Sequence, residues 1–528
     1  MPTSNSHASP VGAVFTPLRW AKWLVREFGL VPRWVQGATI CDPTAGKGVF
    51  IHALMDVAAE MDILVDDRML SLLSVIEREG RFLEAFHSSF RLKYSREFPR
   101  KNSLCADVVL QNPGLKFDVL LGNPPWVNFN DLPAPYKEAL KSAFLEFGLV
   151  EDPRSLLLGR ARVDFSALVV SVVLNLNLAP HGEAVLFLPL SLFLNDGAHS
   201  GFRRYALKDS TFQLAELWDF RETNIFPDIA TRFGVARFER DARTQFPIPY
   251  RTETKSGWIS RMAAPVGEPS APLSVFDSQT EYEELARPAA IEVHENQKPR
   301  QGVNTCGANR VFICDSVPEG LPDEFLFPLI TNDCFRNSDA QPRRYVLLPY
   351  DTDTGRPLNE SALRSHPALW SYLLAHKDEL LARKGTMLNT WLKRGLWWAL
   401  LGVGDYSFAP FKVVWEAYGK DTFKPRVFSA HNGKPWQANQ AMHAFIPCST
   451  RDEAERLLDQ LASSKIERYL RSLSMEGTCN WAQPGRIKRF LKFVKEAEPA
   501  PPELPLLATT VPLLGRKLGL ESAIETID

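Results

Sequence analysis

The sequence lacks a long uninterrupted hydrophobic segment, and none of its cysteines are spaced as a CxxC pair. Its longest apolar stretches are interrupted by Asn, His or Pro, and no basic residue precedes a signal-like apolar run near the amino terminus. The sequence therefore predicts neither a membrane span nor a secretion signal. Seven cysteines are an odd number, which argues against a fully paired disulfide framework and favours a reducing, cytoplasmic compartment.

The chain also lacks an excess of charge of either sign. It has 61 basic and 62 acidic residues, so a uniformly basic surface is excluded while local asymmetry is not. Hydrophobic residues make up 45% of the sequence and charged residues 23%, which excludes wholesale disorder and provides for a sizeable core. A length of 528 residues fits about three domains, or two large ones.

Residues 38–240 alternate short β-rich apolar runs with helical stretches, a pattern typical of βαβ units and a mostly parallel sheet. The candidate strands cover residues 38–41, 72–76, 117–121, 184–188, 214–218 and 233–238. Residues 257–286 are rich in Pro, Ser and Glu, as linkers are. We therefore expect a first domain over residues 1–260, a linker over 261–290, a second domain over 291–498 and a tail over 499–528.

Positive charge is concentrated in the second domain. Between residues 383 and 495 there are 19 Lys and Arg but only nine Asp and Glu, and six tryptophans fall in the same window. This pattern is compatible with a solvated basic face over a tryptophan-rich core. It is equally compatible with an electropositive surface for a phosphate backbone.

A glycine turn follows the first candidate strand. Its residues are Asp42, Pro43, Thr44, Ala45, Gly46, Lys47 and Gly48, and a helical pattern over residues 51–59 comes next. Strand, glycine turn and helix form a geometry that cradles nucleotides, because glycine permits close approach and the helix start presents free N–H groups. The spacing matches neither the phosphate loop of nucleotide hydrolases nor the dinucleotide-binding fingerprint. A simple tight turn is the alternative.

Two acids stand at the ends of later candidate strands. Glu77 follows residues 72–76, where a carboxylate can accept hydrogen bonds from two ribose hydroxyls, and Glu79 is the alternative at this place. Asp107 follows residues 104–106, where it could accept from the exocyclic amine of an adenine. Each acid alone is more often a solvated strand terminus. Together with the glycine turn they indicate one crevice at the carboxyl edge of the sheet.

The segment Asn123, Pro124, Pro125 and Trp126 follows the candidate strand over residues 117–121. The prolines restrict the backbone and remove two donors, which leaves carbonyl oxygens available as acceptors. An aromatic amine is a poor nucleophile because its lone pair is delocalised into the ring. The Asn123 side-chain oxygen and the Pro124 carbonyl could accept its two N–H groups, and Trp126 could stack on the base. A rigid proline turn capped by an aromatic residue is the alternative.

These motifs, in this order and preceded by Phe15, Thr16 and Pro17, resemble those of S-adenosylmethionine-dependent adenine-N6 DNA methyltransferases. The arrangement, with cofactor motifs first and a recognition domain last, is similar to the gamma class of TaqI-like enzymes. The resemblance continues into residues 164–168, 180–189 and 224–227. It implies an α/β fold, with a Rossmann-like class I methyltransferase domain on a seven-stranded mixed sheet, followed by a C-terminal α+β target-recognition domain.

The resemblance also implies roles for individual residues. Those expected to bind S-adenosyl-L-methionine are Phe15, Thr16, Pro17, Asp42, Pro43, Thr44, Ala45, Gly46, Gly48, Glu77 and Asp107. Those expected to act on the target adenine are Asn123, Pro124, Pro125, Trp126 and Phe226, of which Phe226 would stack on the base opposite Trp126. No metal is expected, because the sulfonium already makes a good leaving group.

Three departures from the family pattern stand out. Trp126 occupies a position where the family more often has Tyr, which keeps the stacking face and loses a hydroxyl. The gap from Asp42 to Glu77 is long, so an insertion over residues 60–69 is expected. An apolar residue near Val169 replaces a phenylalanine that many relatives place beside the cofactor adenine. These departures affect affinity more than reaction type.

The expected reaction is methyl transfer to the N6 of an adenine flipped out of duplex DNA, in a restriction-modification or related defence context. The candidate DNA contacts in the second domain are Arg383, Lys384, Lys393, Arg394, Arg486, Lys488 and Arg489. We expect a monomer without a fused nuclease, acting beside a separate restriction enzyme. The alternatives are methylation of RNA adenine or of a protein glutamine, and a catalytically silent DNA-binding subunit.

Overall fold

The structure of the protein is a computed structural model. It describes residues 14–150, 152, 154, 156, 162–227, 229, 231–286, 290–316, 320–336, 341–418, 423–473 and 481–494. The predicted tail over residues 499–528 lies outside the described residues. In the described part of the chain, no helix is both long enough and apolar enough to cross a membrane.

A ten-stranded sheet organises the amino-terminal half, with the strand order β10-β9-β8-β6-β7-β5-β4-β1-β2-β3. Its strands are β1 (Ile40–Asp42), β2 (Leu73–Glu77), β3 (Ser103–Cys105), β4 (Phe117–Gly122), β5 (Leu178–Pro189), β6 (Phe212–Asp219), β7 (Phe233–Arg240), β8 (Ile248–Thr254), β9 (Gly257–Pro265) and β10 (Leu273–Phe276). Strands β1 to β5 pair in parallel, and β7 runs antiparallel between β5 and β6. The predicted seven-stranded mixed sheet is therefore present, and β8, β9 and β10 extend it.

Helices cover both faces of this sheet. They are α1 (Leu18–Glu27), α2 (Leu30–Val35), α3 (Val49–Glu60), α4 (Asp67–Ser71), α5 (Gly80–Tyr94), α6 (Ala134–Glu146), α7 (Phe165–Leu176), α8 (Ser191–Leu194) and α9 (Gln279–Ala286), with 3-10 turns at Arg100–Asn102, Phe129–Asp131 and Phe202–Arg204. The loop after α3 and the short helix α4 fill the long gap between Asp42 and Glu77.

Alternation along the central strands divides the core into two layers. In β4, Leu120 belongs to one apolar cluster while Val119 and Leu121 belong to the other. Successive side chains of a strand point to opposite faces, so both faces of β4 are covered. Helix α7 lies in the first layer, and all its residues from Phe165 to Asn175 are buried.

The region predicted as a linker contains regular structure. Strand β9 ends at Pro265, β10 pairs with it in antiparallel register, and α9 follows. Ala263, Leu273 and Phe276 are buried in the core. The Pro- and Ser-rich composition marks the turn between β9 and β10, while the apolar residues on either side of that turn extend the sheet.

The carboxyl-terminal half combines three small sheets with short helices. Its strands are β11 (Ile291–His294), β12 (Arg300–Gln301), β13 (Ile313–Cys314), β14 (Leu326–Pro328), β15 (Tyr345–Leu347), β16 (Phe411–Glu416), β17 (Arg426–Ser429), β18 (His443–Cys448) and β19 (Leu491–Val494). The sheets have the orders β11-β19, β12-β18-β16-β17 and β13-β15-β14. The predicted fold class, an α/β domain followed by an α+β domain, is confirmed.

The helices of this half are short. They are α10 (Asn309–Phe312), α11 (Asn332–Arg336), α12 (Glu360–Arg364), α13 (Pro367–Ala375), α14 (Lys377–Leu381), α15 (Thr386–Lys393), α16 (Arg451–Leu461), α17 (Ser464–Ser472) and α18 (Pro484–Ile487), with 3-10 turns at Asp323–Phe325, Asp405–Phe408 and Lys488–Phe490. Helix α16 begins with a capping box, because the Thr450 side chain accepts from the Glu453 N–H while Glu453 reaches back to the Thr450 N–H.

Candidate functional site

A cavity of about 1030 Å³ opens at the carboxyl edge of the parallel strands. Asp42 ends β1, Glu77 ends β2, Asp107 follows β3 and Asn123 follows β4, and all four line the cavity. The other predicted site residues that line it are Phe15, Thr16, Pro43, Thr44, Ala45, Gly46 and Pro125, whereas Pro17, Gly48, Pro124, Trp126 and Phe226 do not. Ligands of doubly wound sheets bind at this edge.

The glycine turn depends on two left-handed backbone positions. Gly46 has φ +55° and Gly48 has φ +72°, in a left-handed region that residues other than glycine rarely adopt. A Cβ atom at Gly48 would lie 2.1 Å from the Phe86 ring, so a side chain there is excluded. Gly48 precedes the first residue of α3, and the turn therefore delivers the start of that helix to the cavity wall.

Asp42 lies at the bottom of the turn and is almost fully buried, with 1% of its surface exposed. Its carboxylate accepts a hydrogen bond of 3.1 Å from the Thr44 N–H. Burial raises the pKa of Asp42 to about 8, and the nearby charge of Glu77 adds to the rise. The Asp42 side chain therefore favours its protonated form near neutral pH, and a cationic group in the cavity would favour ionisation.

Glu77 joins the glycine turn to the neighbouring strand. One carboxylate oxygen accepts from the Gly46 N–H at 2.8 Å, and the other accepts from the Glu79 N–H at 2.8 Å. Glu79 also lines the cavity, but its carboxylate lies 3.4 Å from Arg78 and 3.7 Å from Arg81. Of the two acids considered from the sequence, Glu77 is the one in contact with the turn.

Asp107 is buried and held on both carboxylate oxygens. Its Oδ1 accepts from the N–H groups of Val109 and Leu110 at 2.9 and 3.0 Å. Its Oδ2 accepts from the Tyr136 hydroxyl at 2.8 Å, and Arg78 Nη1 lies 3.9 Å from that oxygen. No short-range sequence pattern links Tyr136 of α6 to this site, so sequence reasoning missed it.

The Asn123 amide is hydrogen-bonded through its nitrogen, and its oxygen is buried. Its Nδ2 donates to the Val14 carbonyl at 3.0 Å and to Thr16 Oγ1 at 3.2 Å. Its Oδ1 is buried and has no hydrogen-bond partner among the described residues. A buried amide oxygen without a donor is costly, and it marks a place where a ligand N–H can bind.

Trp126 and Phe226, which were predicted to stack on opposite faces of the target adenine, touch each other directly. Their ring centroids are 4.9 Å apart at 83°, and Phe233 stacks on Trp126 at 5.8 Å and 25°. Trp126 is 9% exposed and Phe226 3% exposed. A base held between two parallel rings needs about 7 Å between their planes, so this arrangement is closed.

Arg383 does not lie on the surface. It is 7% exposed and donates hydrogen bonds to the carbonyl oxygens of Leu380, Thr305, Trp397 and Ala399 at 2.6 to 3.2 Å. Burial lowers its pKa from the ordinary arginine value. The predicted phosphate contact is therefore wrong for Arg383, because its Nε, Nη1 and Nη2 atoms all donate to carbonyl groups inside the second domain.

Arg486 and Arg489 connect the two halves of the chain. Arg489 Nη2 lies 2.6 Å and Arg486 Nε 3.7 Å from the Asp196 carboxylate, which follows α8 in the first half. Arg486 is largely buried, and its pKa is lowered by that burial. These two predicted DNA contacts are engaged in an interdomain ion pair.

The remaining four basic candidates are exposed. They are Lys384, Lys393, Arg394 and Lys488. None of the four forms an ion pair with another residue in the described ranges, and the Arg394 guanidinium lies 5.7 Å above the Trp391 ring. Lys384 and Arg394 flank α15 and Lys393 is its last residue, so the exposed positive charge is concentrated at that helix.

The cavity also has an apolar end that sequence reasoning only partly located. Val169 lines it, at the position where relatives are expected to carry a phenylalanine, together with Phe165, Val108 and Leu132. Phe165 follows Asp164, whose carboxylate caps α7 through the Ser166 N–H at 2.8 Å. Burial raises the pKa of Asp164 to about 6.

Comparison with known proteins is consistent with this geometry. The sequence is 25% identical over 403 residues to the type II methyltransferase M.XamI of Xanthomonas campestris pv. amaranthicola, covering 70% of this chain and 69% of that protein. The chain is similar to restriction-modification methyltransferases. No protein-family model matches the sequence.

One solved structure shares the fold over most of the chain. It is the type IIL restriction-modification enzyme MmeI in complex with DNA, with a TM-score of 0.54, 12% identity and coverage of 88% of this chain. The chain spans 64% of the length of MmeI, so this likeness concerns the fold and not the whole enzyme. The cleft, the fold and the methyltransferase relative support S-adenosyl-L-methionine as the cofactor.

Proposed function

We propose that the protein is a site-specific DNA adenine-N6 methyltransferase of the gamma, TaqI-like class, and that it acts in restriction-modification. The observation that carries the proposal is the Asn123 amide, which lines the cavity and whose buried oxygen has no hydrogen-bond partner among the described residues. That oxygen suits a substrate N–H. Asn123 directly follows β4, beside the proposed cofactor site. The type II methyltransferase relative supports the same reaction class.

The residues of the cavity fit the proposed cofactor. Glu77 and Asp107 offer carboxylate oxygens for the ribose and for the exocyclic amine of the cofactor adenine, and Phe165 and Val169 offer apolar contacts for its rings. Phe15 and Thr16 would close over the methionine end. When bound, the cofactor supplies a methyl group on a positively charged sulfur, which makes that sulfur a good leaving group.

In this mechanism Asn123 Oδ1 and the Pro124 carbonyl accept the two N–H groups of the adenine amine. These hydrogen bonds promote pyramidalisation of N6, so that its lone pair becomes available for attack on the methyl carbon. The bound cofactor would supply the methyl carbon to N6, its sulfur would leave with the electron pair of the carbon–sulfur bond, and N6 would lose one proton to water. Positioning and electrostatic complementarity supply the rate, so the chain needs no strong general base.

Access to N6 requires that the adenine leave the base stack. We propose that the flipped base enters between Trp126 and Phe226, and that Phe226 moves away from Trp126 to admit it. Lys384, Lys393, Arg394 and Lys488 would contact the phosphates of the duplex, since these basic candidates are exposed. A monomer acting on one strand at a time, with a separate restriction enzyme, is the simplest arrangement.

Incubation with radiolabelled S-adenosyl-L-methionine and unmethylated duplex DNA tests the proposal. Nucleoside analysis and single-molecule sequencing of the product should give N6-methyladenine in one recurring sequence context. Label that appears only in RNA or only in a protein glutamine would replace the DNA assignment with that alternative. Cofactor binding without transfer to any of the three substrates would indicate a silent subunit.

Two variants at position 123 link the product to the proposed site. Asn123→Ala removes the acceptor oxygen and should lower turnover by about two orders of magnitude or more. Asn123→Asp retains an acceptor oxygen but loses the N–H group that donates to the Val14 carbonyl. Its turnover should lie between those of the wild-type protein and Asn123→Ala. Calorimetric titration with S-adenosylhomocysteine, which both variants should still bind, controls for folding. Near-normal turnover of Asn123→Ala contradicts the acceptor role.

A further inference from the structure

Asp107 lines the cavity together with the apolar residues Ala106, Val108, Leu132, Phe165 and Val169, which belong to or pack against one apolar cluster. Its carboxylate also has polar neighbours, the Tyr136 hydroxyl at 2.8 Å and Arg78 Nη1 at 3.9 Å. Apolar walls beside a carboxylate acceptor suit a flat heteroaromatic ring that carries an exocyclic amine. This chemistry matches an adenine, and the inference below rests on the cofactor assignment of the proposed function.

Both oxygens of Asp107 have donors within the chain. Two backbone N–H groups hold Oδ1, and the Tyr136 hydroxyl holds Oδ2 at 2.8 Å. A carboxylate oxygen can accept more than one hydrogen bond, so Oδ2 keeps capacity for a ligand donor. The position of the Tyr136 hydroxyl therefore determines the direction from which a ligand N–H can reach Oδ2.

Tyr136 is itself held from two sides. The Arg78 guanidinium lies 5.0 Å from the centre of its ring, and Phe165 meets the ring edge to face at 5.7 Å. Tyr136 also lines the cavity. The Tyr136 ring thus forms part of the cavity wall, and its hydroxyl holds the Asp107 carboxylate in place.

We propose that Tyr136 is a positioning residue that orients Asp107 and thereby gives the cofactor site its preference for a 6-amino purine. The residue lies on α6, ten positions after Trp126, while Asp107 follows β3. Recognition of the cofactor ring is thereby connected to the helix that follows the acceptor segment. A purine with a 6-oxo group in place of the amine presents an oxygen to Oδ2, and the site disfavours it.

Binding of two cofactor products to the DNA-free protein tests this role. The probes are S-adenosylhomocysteine, with a 6-amino group, and S-inosylhomocysteine, with a 6-oxo group, both titrated by calorimetry. The wild-type protein should prefer the adenosine compound by roughly tenfold or more. Tyr136→Phe, which keeps the ring and removes the hydroxyl, should lose most of that preference through weaker binding of the adenosine compound.

Tyr94→Phe is the matched control. Tyr94 also donates its hydroxyl to a carboxylate, that of Asp56 at 2.8 Å, but neither residue lines the cavity. This variant should keep the wild-type ratio of affinities. A general loss of stability would lower both affinities together and leave the ratio unchanged, so the ratio separates positioning from folding.

The outcomes distinguish this inference from the proposed function. If Asp107→Asn abolishes the preference and Tyr136→Phe retains it, the Tyr136 role is overturned while the cofactor site stands. If the wild-type protein binds both compounds equally, recognition by Asp107 fails and the Tyr136 role fails with it. Methyl transfer to DNA is measured separately on the wild-type protein, so it tests the proposed function without reference to these affinities.

Discussion

Trp126 and Phe226 meet edge to face, with ring centroids 4.9 Å apart and an interplanar angle of 83°. The two residues are 100 positions apart in sequence, and both belong to one buried apolar cluster. In this arrangement each ring occupies the space that a stacked base would need. The proposed target pocket is therefore closed, and entry of the base requires the two rings to separate.

This closure predicts a defined effect of Phe226→Leu. Leucine keeps much of the apolar volume but has no ring face, so turnover on DNA should fall about tenfold or more through lost base stacking. Cofactor binding should change little. Fluorescence of 2-aminopurine at the target position, which rises when a base leaves the stack, should increase less than with wild-type protein. Unchanged turnover and fluorescence would argue against contact between Phe226 and the base.

Thr16 should influence catalysis through the Asn123 amide. Thr16→Val removes one of the two acceptors of Asn123 Nδ2, whereas the Val14 carbonyl remains. We expect kcat to fall roughly five- to tenfold, the range of one ordinary hydrogen bond. Thr16→Ser, which keeps the hydroxyl, should restore most of the loss. The idea fails if both variants have the same kcat.

Arg383 and Lys384 are adjacent in sequence, but substitutions at the two positions should have different effects on stability and DNA binding. Arg383→Met leaves several buried carbonyl groups without donors and should lower the free energy of unfolding by about 3 kcal/mol, measured by urea denaturation. Lys384→Ala should leave stability unchanged and weaken DNA binding, with a shallower dependence of affinity on salt. A stable Arg383→Met protein would contradict the core assignment.

The ion pair of Asp196 should couple the two halves. Asp196→Asn leaves Arg486 and Arg489 without the acid that joins them to α8. Because Arg486 is largely buried, we expect a loss of about 1 to 2 kcal/mol in the free energy of unfolding, and lower DNA turnover through altered placement of the second domain. Limited proteolysis should then cleave between the halves more readily. Asp209→Asn, on the surface of the first half, serves as the control.

Asp42 should make stability depend on pH. Its folded-state pKa of about 8 is above the ordinary aspartate value of 3.8, so the folded protein holds a proton that the unfolded chain has lost between these values. The free energy of unfolding should therefore fall as pH rises from about 4 to 8, by at most about 1.4 kcal/mol per unit, and change no further above that. Asp42→Asn should flatten this dependence in thermal or urea unfolding measured across pH. An unchanged slope would show that other groups dominate.

Much of the fold could be predicted from local sequence patterns. The six candidate strands all exist, because runs such as residues 119–121 place apolar side chains on both faces, as strands covered on two sides do. The strand-end acids and the Asn123 segment were found by their position after such strands. The prediction of a linker within residues 257–286 was wrong. It relied on the Pro and Ser of one turn and overlooked the apolar residues of β9 and β10 on either side.

The sequence by itself determined the class of fold and the order of the cofactor and acceptor motifs, since each is a short pattern read against strand ends. Only the tertiary structure decided which basic residues reach the surface, that Tyr136 supports Asp107, and that Trp126 and Phe226 close on each other. Burial and pairing join residues far apart in the chain, such as Asp196 and Arg489. A local pattern carries no information about such partners, because they come together only when the chain packs.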